Sequence, residues 1–126
     1  MKTILIDGKK YKIEHSKKVS AIGDVDEIKK IIYIDKSIPE KFLEGIAVHE
    51  IEERKWTRKG HSYAFSHNQA QKKEMKFYEK ILGKGKGLGF LKEEEKFVLK
   101  AFGNHLKKEK RELKVIKKMG REARDY

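Results

Sequence analysis

Residues 47–56 read AVHEIEERKW, and the way this stretch sits on a helix decides the reading of the fold. Upstream, SIPE at residues 37–40 is a helix start. Ser37 is placed to cap the first turn, Glu40 three residues on completes a capping box, and Pro39 is tolerated so near a helix N-terminus. Downstream, Gly60 is a stop signal, so the expected helix runs to about Lys59. Along it Phe42, Ile46, His49, Glu53 and Trp56 follow spacings of 4, 3, 4 and 3, which places them on one stripe with Leu43, Ala47 and Ile51 beside it. His49 and Glu53 therefore interrupt the face that should pack inward, whereas Glu44, Glu52 and Lys55 are expected in water.

A buried carboxylate is costly unless a cation or hydrogen bonds compensate it. Two ligand-type side chains at i and i+4 point the same way one turn apart, a geometry for gripping one ion from a single helix. Glu50 would project beside that ion and could take a proton from a water activated there. A second reading stays open: His49, Glu53 and either Arg54 or His67 form a buried hydrogen-bonded network between two helices.

The rest of the chain frames this helix. The dipeptide Asp7-Gly8 is a tight-turn signal between two short strands in KTILIDGKKYKIEHS. KKIIYID at 29–35 is a β-branched and aromatic run of strand length, and SAIGDVDEI before it has room for another short strand. After HSYAF, Ser66 and Gln69 open a second expected helix, HNQAQKKEMKFYEKIL, which ends at Gly83. GKGKGLG at 83–89 lacks the pattern of a phosphate-binding loop and reads as a linker. From about residue 90 the chain reads as a long basic helical segment, with Leu99, Phe102, Leu106, Leu113 and Ile116 as an apolar stripe. The fold class expected is α+β in one domain of 126 residues: 1–36 β-rich, 37–82 a two-helix site, 83–89 the linker, 90–126 basic and helical.

Composition narrows the chemistry. The chain has no cysteine, so thiolate ligands, thiol nucleophiles and disulfides are excluded, and any metal must be held by His, Asp and Glu. No apolar run reaches the roughly 20 residues of a membrane span, and the N-terminus lacks the apolar core of a signal peptide. No membrane partner and a cytoplasmic location are expected. Charged residues make up 41 % of the chain, and Asn and Gln occur twice each, a bias that fits a hot environment. The net charge of +12 is uneven: Lys and Arg exceed Asp and Glu by 3 in residues 1–71 and by 9 in residues 72–126. That asymmetry supports an alternative function, a non-catalytic binding protein whose basic C-terminal half, around Lys107, Lys108, Lys110 and Arg111, docks on nucleic acid or an acidic protein.

The sequence HEIEE resembles the active-site helix of the zincin metallopeptidases, whose signature is His-Glu-x-x-His. The resemblance covers residues 29–80 and implies that His49 is the first zinc ligand and Glu50 the general base. Position 53 departs from the pattern, being Glu, which makes the site richer in oxygen and shifts metal preference toward harder ions. It also implies a strand at the edge of the cleft before the helix, where KKIIYID stands. A zincin needs a third ligand downstream, and in the gluzincin branch this is a glutamate about 20 residues past the second motif ligand. Glu74 lies 21 residues after Glu53, and His67, the better zinc ligand chemically, lies 14 after it. Two turns separate His67 from Glu74, so one would ligate and the other support it, with His67 favoured. His61 and Tyr63 would line the cleft, Tyr63 polarising a bound oxyanion. The resemblance thus implies one divalent ion, zinc being expected, a peptide or protein substrate, and peptide-bond hydrolysis by a water that Glu50 activates.

Overall fold

In the computed structural model, residues 2–15 and 23–100 are described. The protein is α+β: a small N-terminal sheet followed by helices. Strands β1 (Lys2–Ile6), β2 (Lys9–Glu14), β3 (Gly23–Asp26) and β4 (Ile31–Ile34) form one sheet in the order β1-β2-β4-β3. The β1–β2 hairpin turns at Asp7-Gly8, where both residues have positive φ, 50° and 79°. That is the mirror-image turn whose twist matches the flanking strands. β2 pairs parallel to β4, and β3 folds back antiparallel on β4's other side. Asp26 shapes this second turn by accepting from the amides of Ile28 and Lys29.

Alternation places Ile4, Ile6, Tyr11, Ile13, Val25, Ile32 and Ile34 among the buried residues, and helix α1 (Leu43–Arg58) supplies Leu43, Ile46, Ala47, Val48 and Ile51 to the same core. A 3-10 turn, Glu40–Phe42, leads into α1. Ser37 does not cap it. Its amide and hydroxyl both donate to Asp35 Oδ1, at 2.9 and 2.7 Å, so the expected capping box is replaced by a turn around Asp35.

Helix α2 (Tyr63–Leu82) packs along α1 and begins four residues earlier than expected. Ser62 is the cap, accepting from the Phe65 amide at 3.1 Å, while Ser66 is fully buried within the helix. A close approach of the two helices is permitted by Gly45, where a Cβ would stand 2.0 Å from the Tyr78 hydroxyl. Residues 83–86 are a tight turn, and a third helix, α3, occupies residues 87–100. The last three residues of the expected linker, 87–89, are therefore helical. Glu79 Oε2 accepts the amides of Lys86 and Gly87, at 3.0 and 2.9 Å, and so fixes the start of α3. Gly87, Leu91, Glu94 and Val98 are the buried residues along α3, and Leu99, expected on the apolar stripe, is 42 % exposed. Phe102, Leu106, Leu113 and Ile116 lie outside the described residues. Among the described residues no helix is long and apolar enough to cross a membrane.

The strand expected before the helix is β4, and it lies inside the sheet. Ile32 and Ile34 of β4 are fully buried, with β2 and β3 on either side. The edge that borders α1 is β3, which Arg54 reaches through Asp24 at 3.3 Å.

A candidate metal centre between α1 and α2

Among the described residues one group of ligand-type side chains converges. His49 and Glu53 from α1 and His67 from α2 each offer an atom, and these atoms lie within 4.8 Å of one another. The i, i+4 spacing brings His49 Nε2 to 3.2 Å from Glu53 Oε2, and His67 Nδ1 comes to 3.1 Å from the same oxygen. The two imidazole rings meet edge to face with centroids 4.9 Å apart. All three residues are half-buried.

Glu74 is not one of the converging ligands. It lies on α2, is 1 % exposed, and accepts from His49 Nδ1 at 2.9 Å. Both ring nitrogens of His49 therefore face carboxylate oxygens, which only accept, so the ring carries two N–H groups and a positive charge. Burial opposes that charge, but the hydrogen bonds to Glu53 and Glu74 outweigh it and hold His49 well above the ordinary histidine range. Burial also disfavours the Glu53 anion, yet the bonds from His49 and His67 prevail and take its carboxyl down to about 2.

Glu50 lies one position along α1. Burial, the dominant cause, pushes its carboxyl up to about 7. Its side chain runs against β3: a Cβ at Gly23 would stand 3.0 Å from Glu50 Cγ and 3.3 Å from Cδ. The small residue on the edge strand makes the space that Glu50 occupies.

The other expected site residues are placed as follows. Tyr63 stacks on the His67 ring at 5.6 Å and is 42 % exposed. His61 turns to the end of α1, stacking on Phe65 at 4.3 Å with Trp56 at its edge. Arg54 is drawn to Asp24 on β3, so of the two partners weighed for a hydrogen-bonded network only His67 is present in it. Lys107, Lys108, Lys110 and Arg111 lie outside the described residues.

One acidic residue expected in water is buried. Glu52 is 6 % exposed; its Oε2 accepts from the Trp56 indole N–H at 2.8 Å, and the Lys55 ammonium stands 3.2 Å from Oε1. Helix α1 is covered on more than one side, by the sheet and by α2, so its inward arc is wider than one stripe. Glu94 and Tyr78 were also missed. The Tyr78 hydroxyl donates to Glu94 Oε1, and both side chains are buried. Their signal was legible: Ala70, Glu74 and Tyr78 repeat every fourth residue on α2, and Leu91, Glu94 and Val98 follow helical spacing on α3.

Compared with known proteins, the chain matches no family model, no curated protein and no solved structure.

The donor set suits a metal ion on chemical grounds. Two imidazole nitrogens and a carboxylate oxygen are ligands for zinc and neighbouring divalent ions. A histidine that ligates through one nitrogen while giving its other N–H to a buried carboxylate is the arrangement that fixes a ring for binding. A metal ion entering here would require His49 to give up the Nε2 proton now shared with Glu53, and metal and proton would compete for the same place.

Proposed function

We propose that this protein binds one divalent metal ion, zinc being expected, through His49, Glu53 and His67, and that it hydrolyses peptide bonds with Glu50 as the base. The observation that carries the reading is the convergence of two imidazoles, from different helices, on a single carboxylate oxygen. The likeness of HEIEE to the zincin helix agrees with it, and the zincin-like assignment is part of the proposal. The oxygen ligand Glu53 stands where that motif has a second histidine.

A bound divalent ion would supply Lewis acidity, lowering the pKa of a water molecule toward neutrality. The protein's residues do the rest. Glu50, with a carboxyl raised to about 7, is poised to take a proton from water at neutral pH and return it to a leaving amine. Glu74 holds the His49 ring by its Nδ1–H. Tyr63, stacked on His67, stands at the exposed end of the site and offers a hydroxyl to developing negative charge. A peptide is the favoured substrate class because β3 is an edge strand, paired among the described residues only with β4, and its Gly23 lies against Glu50. An extended chain adding to that edge would pass the base.

Zinc titration of the full chain together with cleavage of a mixed peptide library tests this. Wild-type protein should bind about one equivalent of zinc and cleave peptides. Glu50→Gln should bind zinc and not cleave, and His49→Ala should do neither. Zinc binding that survives in His49→Ala would overturn the site. Cleavage that survives in Glu50→Gln would overturn the role of the base. A wild-type protein that takes up no zinc would leave the cluster as the buried hydrogen-bonded network.

A further inference from the structure

Behind His49 the polar residues do not stop at Glu74. Glu74 Oε1 is occupied by the His49 ring, but its other oxygen, Oε2, is buried without a hydrogen-bond partner. A buried orphan acceptor is expensive. The Tyr78 hydroxyl and the Glu94 carboxyl both stand within hydrogen-bonding reach of the Glu74 carboxyl. Tyr78 has one hydroxyl proton and spends it on Glu94 Oε1. Glu94, 6 % exposed, is then the remaining source of a proton for Glu74 Oε2, provided that its own carboxyl is neutral. Two carboxyl groups buried side by side cannot both ionise without large cost, so one of the pair holds a proton. Burial, followed by the neighbouring Glu74, pushes Glu94 up to about 10.

Resting on the metal-centre reading above, we infer that Glu94 is a positioning residue for the site: as a neutral acid it donates to Glu74 and, through Glu74, locks the His49 ring with Nε2 aimed at Glu53 and His67. The line Tyr78–Glu94–Glu74–His49 crosses three helices. Tyr78 and Glu74 belong to α2, Glu94 to α3 and His49 to α1. The packing that builds it is specific: Gly45 admits the Tyr78 hydroxyl against α1. Glu94 touches neither the ion nor a ligand; it acts on the ring through Glu74. The third helix is thereby part of the site and not a neighbour of it.

The role separates a neutral donor from a mere filler of space. Glutamine at position 94 keeps a donor for Glu74 and an acceptor for Tyr78, whereas leucine keeps bulk alone. Zinc affinity should be close to wild type in Glu94→Gln and about 10- to 100-fold weaker in Glu94→Leu, the loss typical when a ligand's hydrogen-bond support is removed. Nitrogen and proton NMR of the His49 ring in metal-free protein supplies a second readout. The Nδ1–H signal should be slow to exchange in wild type and Glu94→Gln and fast in Glu94→Leu. Should the leucine variant fail to fold, Tyr78→Phe, which removes only the hydroxyl that orients Glu94, should speed the same exchange. Wild-type affinity and wild-type exchange in Glu94→Leu would overturn the inference, and so would a Glu94→Gln variant as weak as the leucine one. If wild-type protein binds no zinc the metal reading fails by itself, and the ring exchange rates then decide the Glu94 relay alone.

Discussion

Glu52 and Glu53 are neighbours in the chain, both withdrawn from water, and the protein compensates them in different ways. Glu52 accepts from the Trp56 indole and is attended by lysines, Lys55 at 3.2 Å and Lys73 at 3.9 Å, whose ammonium groups reach in from the surface. Glu53 is met by two imidazoles held on separate helices. An ammonium is a hydrated point charge on a flexible stem, with three donors and no lone pair to give. It can neutralise a carboxylate but cannot share an ion with it. An imidazole can donate to the carboxylate and, once deprotonated, bind a metal beside it. Burial of a carboxylate therefore does not mark a site; the identity of what converges on it does.

The largest expected effect is on metal binding and divides the two glutamates. Glu53→Ala should abolish stoichiometric zinc binding, while Glu52→Gln should leave zinc affinity unchanged and cost about 1–3 kcal/mol of stability through its altered hydrogen bonds. Calorimetric zinc titration and urea unfolding of both variants check this. A zinc defect in Glu52→Gln as large as that in Glu53→Ala would erase the distinction.

A second effect lies in the pH dependence of the metal-free protein. Glu50, raised from 4.5 to about 7, holds its proton more tightly when folded. Its contribution to stability is complete below pH 4.5 and is lost as the pH rises through 7. Glu94 behaves the same way over a longer range, up to about 10. His49, raised above 6.5, contributes fully below that value and loses its contribution as the pH climbs through the folded one. Glu53 has the opposite sign: lowered from 4.5 to about 2, it stabilises above 4.5 and loses this as the pH falls toward 2. Metal-free protein should thus be most stable near pH 5 and weaken on both sides. Glu50→Gln should remove at most about 3 kcal/mol of the alkaline decline, as thermal unfolding from pH 4 to 9 would measure. A stability that rises from pH 5 to 9 would contradict the charges assigned to the cluster.

A smaller effect is expected at the edge strand. Gly23→Ala brings a methyl group to 3.0 Å from Glu50 Cγ, so the carboxylate must shift by a few tenths of an ångström. Peptide cleavage should slow while zinc affinity holds. Smallest of all, Lys73→Met removes an exposed ammonium 3.4 Å from Asp7 and 3.9 Å from Glu52, and should change stability by no more than about 1 kcal/mol.

Much of this was legible in the sequence because it is local. The turn at Asp7-Gly8, the strand run ending in IIYI, the stop at Gly60 and the i, i+4 pair of His49 and Glu53 each follow from a few adjacent residues. Helical rise separates His67 from Glu74 by two turns, and the chemistry of imidazole favours His67, the one of the two that converges with His49 and Glu53. What escaped is set by tertiary contacts. Strand order is not encoded in a strand's own residues, so the place of β4 between β2 and β3 was not legible in KKIIYID. Glu52 is covered because α2 widens the inward arc of α1, whereas a single helical stripe leaves it facing water. The phase of α3 is fixed by Glu79 reaching across to the amides of Lys86 and Gly87, and that contact turns Val98 inward and Leu99 outward.

The central claim is that the imidazoles on Glu53 form a metal site and not only a polar network. Elemental analysis of the full chain after zinc loading and gel filtration tests it most directly, with His49→Ala, His67→Ala and Glu52→Gln alongside. The account expects about one zinc per chain in wild type and in Glu52→Gln, and none in either histidine variant. Zinc absent from wild type, or retained by the histidine variants, would contradict it.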